Sequence, residues 1–363
     1  MSSPPSPPTK FPLTHNYAST TDGSEISYYT TGKGPGVLIL HGAVSYALTH
    51  AEIAELLAPF YTVHIVSRRG RGLSDGYPSS VTDLKIHYES KTKGAGDANT
   101  DNNSGLRFGD RTFPRTYNPA FTAAVLDCEM GDLDTLLAAT GAKYVIAVSS
   151  GALITLRSLL TVASPTPSPY FPNLKNITKA IILEPPLWTT GRPTTFDLSS
   201  LARFEQETSS GDVVSGMITA MVATQMGPSW LPRWILKILS NFGASAGEKA
   251  EKKRLAAGGE DRGNSTFMGL GKMLRYDFAV AEGMMGDADR WKVLSKKDGG
   301  VDILLLSAGL SPGYLKHGME VLAEQIGGAK SVVVQGVGHG VLGNPHFSGE
   351  APKAVPCIRE FLG

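Results

Sequence analysis

The stretch Tyr144–Leu160, YVIAVSSGALITLRSLL, decides the fold. Its first five residues form an unbroken apolar run, the pattern of a strand buried on both faces. From Ala152 to Val162 the pattern is helical, and the change is completed within Ala147-Val148-Ser149-Ser150-Gly151. A strand that passes into a helix this abruptly holds a serine on a tight turn with its hydroxyl exposed. Such a turn has room only for small residues two before and two after the serine, a condition that Ala147 and Gly151 meet for Ser149. Ser150 fits worse, because the branched Val148 would then occupy one of those positions. Plain helix capping also produces a Ser-Ser-Gly joint, since serine is a favoured N-cap.

Outward from this joint, strands and helices alternate. Glu25 to Thr30 and Gly36 to His41 read as strands separated by the turn-forming Gly32-Lys33-Gly34-Pro35, a hairpin entering the core. A helix is expected from about Tyr46 to Ala58, a strand over Tyr61 to Ser67, a helix over Phe121 to Ala139 and a strand over Ile177 to Leu183. The rhythm resumes with a strand at Asp302 to Ser307, a helix at Leu315 to Gln325, a strand at Ser331 to Gln335 and a closing helix at Ala354 to Leu362. This order predicts an α/β fold with a mostly parallel central sheet and helices on both faces.

Two stretches interrupt the alternation. Residues 79–118 include KTKGAGDANTDNNSGLRFGD, polar and glycine-rich, and read as a partly mobile surface insertion. Residues 185–300 carry helical patterns at Asp212 to Gln225 and Leu231 to Asn241, all four tryptophans and seven of the ten methionines. They read as a helical cap over a core made of 13–184 and 301–363. Trp188, Met217 and Met221 are its candidate substrate-binding residues, because methionine and tryptophan suit an adaptable apolar pocket. Ordinary packing between cap and core would use the same residue types.

Composition narrows the function. The 34 Lys and Arg against 33 Asp and Glu leave a formal charge of +1, without the basic runs that nucleic acid requires, so a small-molecule ligand is the expected partner. Cys128 and Cys357 have neither zinc-site nor redox-pair spacing. The opening MSSPPSPPTKFPLTH lacks the apolar run of a signal peptide, and no later stretch is apolar enough to span a bilayer. The expectation is a cytoplasmic protein with a disordered tail over residues 1–12, of undetermined oligomeric state, using neither cofactor nor metal.

A serine nucleophile needs a base, and His339 in VVVQGVGHGVLG follows a strand near the C-terminus between glycines that leave its ring free. Backbone N–H groups of Ala43, after His41-Gly42, and of Ser150 are the candidate oxyanion donors. His41 itself reads as a structural member of its loop. A carboxylate after the strand LLLSAGLSPG is missing, because Ser311 stands there. One strand earlier, IILEPPL places Glu184 at a strand end where it could hold the productive tautomer of His339. A strand-end glutamate can equally be solvated or paired with an arginine.

Taken together, Arg68-Arg69-Gly70-Arg71-Gly72-Leu73-Ser74, the joint Ala147 to Gly151, Glu184-Pro185-Pro186 and Ser311-Pro312 resemble a serine-hydrolase branch of the α/β-hydrolase superfamily. The resemblance covers roughly residues 25 to 78 and 119 to 363. Its members carry RRGRGxS, an elbow serine, EPP after the sixth strand, and SP in place of the usual aspartate. It implies Glu184 as the acid and an acyl-enzyme on Ser149 formed from an ester, lactone or related acyl bond. Two departures stand out, Ala147-Val148 where Gly-His is usual and the long insertion after Gly76. Competing readings are a non-hydrolytic protein of this fold, whether ligand receptor, lyase or cyclase, and an interaction protein that docks through 79–118.

Overall fold

Four-residue apolar runs recur at 37–40, 145–148, 180–183 and 303–306, and each becomes a strand with every one of those residues buried. The computed structural model describes residues 11–86, 105–108, 111–114, 116–164, 168–187, 198–228, 230–295 and 300–363. The chain opens with strands β1 (Thr14–Ser19), β2 (Glu25–Gly32) and β3 (Gly36–Leu40), helix α1 (Ala51–Leu57), strand β4 (Thr62–Val66) and the single turn α2 (Ser79–Thr82). Next come β5 (Gly105–Phe108), β6 (Arg111–Pro114), α3 (Pro119–Thr140), β7 (Tyr144–Val148), α4 (Ser150–Ala163) and β8 (Lys179–Leu183). Four helices follow: α5 (Leu198–Ser209), α6 (Val213–Ala223), α7 (Arg233–Ala256) and α8 (Phe267–Gly283). The chain closes with β9 (Asp302–Ala308), α9 (Gly313–Gln325), β10 (Lys330–Val334) and α10 (Ala351–Leu362).

Eight strands form one sheet in the order β1-β2-β4-β3-β7-β8-β9-β10. The pairs β1/β2 and β2/β4 are antiparallel, and from β4 to β10 every pair is parallel. Because side chains alternate across a strand, each parallel strand supplies two cores. Leu38, Leu40, Val145, Ala147, Ala180 and Ile182 face α3, α4 and α9. Val37, Ile39, Ile146, Val148, Ile181 and Leu183 face α1 and α10. Each fully buried aliphatic side chain contributes about 1.5–3 kcal/mol. Burial on both faces is therefore what holds these strands at the centre of the sheet.

The segments at 25–30 and 36–41 do not form the expected hairpin. β2 pairs with β1 on one side, Tyr28 opposite Asn16, and with β4 on the other, Tyr28 opposite Val66. The intervening turn cannot fold back to pair the two strands. A Cβ on Gly32 would sit 2.3 Å from the Tyr61 carbonyl oxygen, so this left-handed residue is pressed onto the connection between α1 and β4. β3, apolar on both faces, takes parallel neighbours instead. β1 went unseen in the sequence because THNYAS, in which Ala18 alone is buried, shows no apolar alternation. The stretch 79–118 also differs from a plain surface insertion at its ends. Val81 and Tyr117 are buried, and the Asn118 N–H donates to the Ile86 carbonyl at 2.8 Å.

A second close approach lies where α4 begins. A Cβ on Gly151 would lie 2.6 Å from the carbonyl oxygens of both Leu40 and His41. Gly151→Ala is therefore expected to push α4 off β3 and to lower unfolding stability by about 1–3 kcal/mol, read as a lower urea midpoint. An unchanged midpoint would mean that the approach is looser than the backbone places it.

Candidate active site

The chain turns from one side of the sheet to the other between β3 and β7, and open parallel sheets bind ligands outside the carboxyl ends of strands at such a reversal. The candidate residues collect at that edge. His41-Gly42-Ala43 follow β3, Ser149 follows β7, Glu184 follows β8, Ser311 lies beyond β9 and His339 beyond β10.

Ser149 adopts φ 54° and ψ −119°, a left-handed conformation that costs a non-glycine residue about 1–3 kcal/mol. Main-chain bonds on both sides hold it there. Its N–H donates to the Leu183 carbonyl at 2.8 Å, and its own carbonyl accepts from the Ala152 N–H at 2.9 Å. Gly42 passes so near that a Cβ would lie 2.7 Å from the Ser149 Cβ. The loop after β3 can therefore cross the serine only as glycine.

Glu184 is fully buried, also has positive φ at 42°, and precedes Pro185, where a left-handed residue is doubly disfavoured. Three donors hold the carboxylate. Oε1 accepts from the Ala308 N–H at 2.7 Å, and Oε2 accepts from the Ser311 hydroxyl and from Nδ1–H of His339, each at 2.7 Å. Because a carboxylate can only accept, this contact places the His339 proton on Nδ1 and leaves Nε2 as an acceptor. Ser311, which stands where a carboxylate was sought, instead supports the glutamate one strand away. Ser149 and His339 border the same cavity, with no hydrogen bond between them.

His41 is fully buried, donating from Nδ1 to the Gly42 carbonyl at 2.7 Å and accepting at Nε2 from the Arg68 N–H at 3.0 Å. Burial, reinforced by Arg68 and Arg71, holds its pKa well below the usual histidine range. A neutral ring with both nitrogens engaged acts as a brace for the loop that carries Ala43. Ala43 and Ser150 both line the cavity beside Ser149.

Arg68 and Arg71 are buried with two carboxylates, giving two positive and two negative groups. Arg68 grips Glu129 through Nε at 3.0 Å and Nη2 at 2.6 Å, and reaches Asp277 Oδ1 through Nη1 at 2.7 Å. Arg71 donates to Asp277 Oδ2 at 2.7 Å, and the Ser150 hydroxyl donates to Asp277 Oδ1 at 2.7 Å. Asp277 thus ties α8 to the residue that follows Ser149. In the sequence the arginines stand out only as a motif, and the one signal of Asp277 is an acid directly before the apolar run FAVA.

The cavity holds about 340 Å³. Met217, Met221, Met226, Leu274 and Phe278 form much of its wall, with Ser45, Thr49, His50 and Tyr314 as polar points. Met217 and Met221 are thus brought to Ser149, whereas Trp188 lies outside the described residues. The other tryptophans are not in the wall. Trp291 is fully buried, and Trp230 and Trp234 face solvent. Of the remaining methionines singled out by sequence, Met284 is buried in the main core and Met273 packs on Gly70.

A family model described as the alpha/beta hydrolase family matches residues 37–355. Among solved structures, an alpha/beta hydrolase from Sphaerobacter thermophilus superposes with a TM-score of 0.58 at 21% identity, covering 96% of this chain and 100% of its own. An esterase from Rhodococcus gives 0.54 at 16% identity, covering 96% and 99%. An epoxide hydrolase from Vigna radiata gives 0.51 at 15%, covering 96% and 97%. These likenesses are likenesses of fold. No curated protein matches the chain in sequence.

The charge cluster has a measurable pH signature. Burial alone would push the Asp277 and Glu129 carboxyls up, but Arg71 and Arg68 beside Asp277, and Arg68 beside Glu129, bring both below the ordinary range. A lowered folded pKa contributes stability that is complete above the unfolded value of about 4 and is lost as pH falls through the folded value. Asp277→Asn leaves both arginines undercompensated. It should cost about 3–5 kcal/mol at neutral pH and flatten the fall of the urea midpoint below about pH 4. A variant as stable as the parent, with the same acid limb, would exclude the cluster as a structural element.

Proposed function

The chain belongs to the alpha/beta hydrolase family, and from that premise we propose that it is a serine hydrolase acting on an ester, lactone or related acyl bond of a small, largely apolar molecule. The observation that carries the reading is the 2.7 Å contact from His339 Nδ1–H to the buried Glu184, at the rim of the cavity bordered by Ser149. A histidine held in this tautomer keeps Nε2 as an acceptor able to take the serine proton.

In this mechanism the Ser149 hydroxyl attacks the acyl carbon while His339 Nε2 takes its proton. Glu184 keeps the ring oriented and stabilises the imidazolium without accepting the proton. The N–H groups of Ala43 and Ser150 receive the oxyanion, a contribution of about 3–4 kcal/mol for each donor. His339 then returns the proton to the leaving group, and water activated by the same nitrogen releases the acid from Ser149. An acyl transfer of this kind calls for no metal or organic cofactor. The helices α5 to α8 act as a cap, with Met217 and Met221 shaping an apolar acyl or alcohol pocket. Support for this comes from their places in the wall of the cavity and from its size, which suits a small ligand.

Reaction of the protein with a fluorophosphonate probe, followed by peptide mass spectrometry, tests the reading. A single adduct on Ser149 is expected, absent in Ser149→Ala and slowed by about 10³–10⁴-fold in Glu184→Gln and His339→Ala. Folded protein that takes up no probe, or variants that label as fast as the parent, would overturn it.

A further inference from the structure

Helix α7 carries an unusual outer surface. Trp230 just ahead of it, then Trp234, Ile238, Leu239 and Phe242 along it, are each between 58% and 80% exposed. At 3.6 residues per turn, Trp234, Ile238 and Phe242 share an arc of about 80°, with Leu239 about 60° beyond it. The same arc continues along the helix to Lys249, Lys252 and Lys253, all exposed. The opposite face is the one that holds the helix to the protein, through Leu236 and Ala244 against Val214 and Ile218 of α6. One outward face is therefore apolar over its first half and cationic over its second.

The three lysines enter no ion pair among the described residues. The other cations of α7 are committed, Arg233 to Glu207, Lys237 to Asp212 and Arg254 to Glu251. A surface that offers apolar depth beside anionic groups matches both halves at once. Aromatic side chains settle at the boundary between headgroups and acyl chains, and lysines meet the headgroups. Two-fold pairing of this face with itself gives the apolar half contact but sets the lysines against apolar side chains, solvent or one another. Among the described residues no helix is long and apolar enough to cross a membrane, so such binding is peripheral.

We propose that the outer face of α7 docks on an anionic lipid surface, with Trp230, Trp234, Ile238 and Phe242 in the interfacial layer and Lys249, Lys252 and Lys253 on the headgroups. The placement sits beside the cavity. Met226 and Phe347 line it while remaining 40% and 45% exposed, so the cavity meets solvent there. Trp230 follows Met226 by four residues, a span of at most about 14 Å. An apolar ligand partitioned in lipid would reach the opening from the docked face.

Co-sedimentation of the full chain with phosphatidylcholine vesicles, with and without phosphatidylserine, tests the proposal. Strong pelleting on the anionic vesicles is expected, weakened by salt. Lys249→Gln/Lys252→Gln/Lys253→Gln should lower that affinity by about 100-fold and remove the salt dependence, and Trp234→Glu/Phe242→Glu should abolish pelleting. Far-UV circular dichroism confirms that the variants stay folded, since all five side chains are exposed. Parent protein that stays in the supernatant with both vesicles, or glutamate variants that pellet like it, would overturn the proposal. So would a dimer in sedimentation velocity that Trp234→Glu/Phe242→Glu splits, because the occupant of the face would then be a second copy of the chain.

Discussion

At the junction of β7 and α4 the backbone has no slack. Gly151 brings the helix start to within contact of the Leu40 and His41 carbonyls, and Gly42 brings the neighbouring loop against Ser149. Between these two approaches Ser149 has only a left-handed conformation available, and it is pinned there by bonds to Leu183 and from Ala152. The strain is offset by the packing of a sheet buried on both faces. That close packing exposes the hydroxyl, starts a helix behind it and sets the height of the loop bearing Ala43.

The rest of the edge is built to the same tolerance. Glu184 bends away from β8 in a second strained conformation, and its carboxylate is saturated by Ala308, Ser311 and His339. Full saturation is what makes a buried charge tolerable. Below it, the cluster of Arg68, Arg71, Glu129 and Asp277 is electrically balanced and anchors α8 beside Ser150. The wall of the cavity contributed by α6 and α8 is thus fastened to the same backbone that holds the serine. Binding pocket and candidate nucleophile are coupled through charge-assisted bonds rather than through apolar packing alone.

Much of this was legible in one sequence because its causes are local. An apolar run of four or five residues that ends at Ser149 admits few structures, and the Glu184-Pro185-Pro186 exit marks a strand end by the chemistry of proline alone. Features set by distant partners were not legible. THNYAS has no apolar period, so β1 appears only once β2 offers an edge to pair with. The turn at Gly32 resembled a hairpin because glycine and proline signal a reversal without saying which strand follows in space. Trp230 and Trp234 suggested a pocket wall by residue type, but helix phase turns Trp234 outward and Trp230, just ahead of that helix, is exposed as well.

The sequence by itself determined the α/β alternation and the abrupt strand-to-helix joint at Ser149, from periodicity and turn sterics, and singled out Glu184 and His339 as candidates. Only the tertiary structure decided that β4 lies between β2 and β3, that Ser311 donates to Glu184, and that Asp277 joins the arginines of Arg68-Arg69-Gly70-Arg71. Those partners lie 26 to 209 residues apart, from Gly36 with Thr62 to Arg68 with Asp277. Burial in a low-dielectric interior selects them, and burial is a property of the packed chain as a whole.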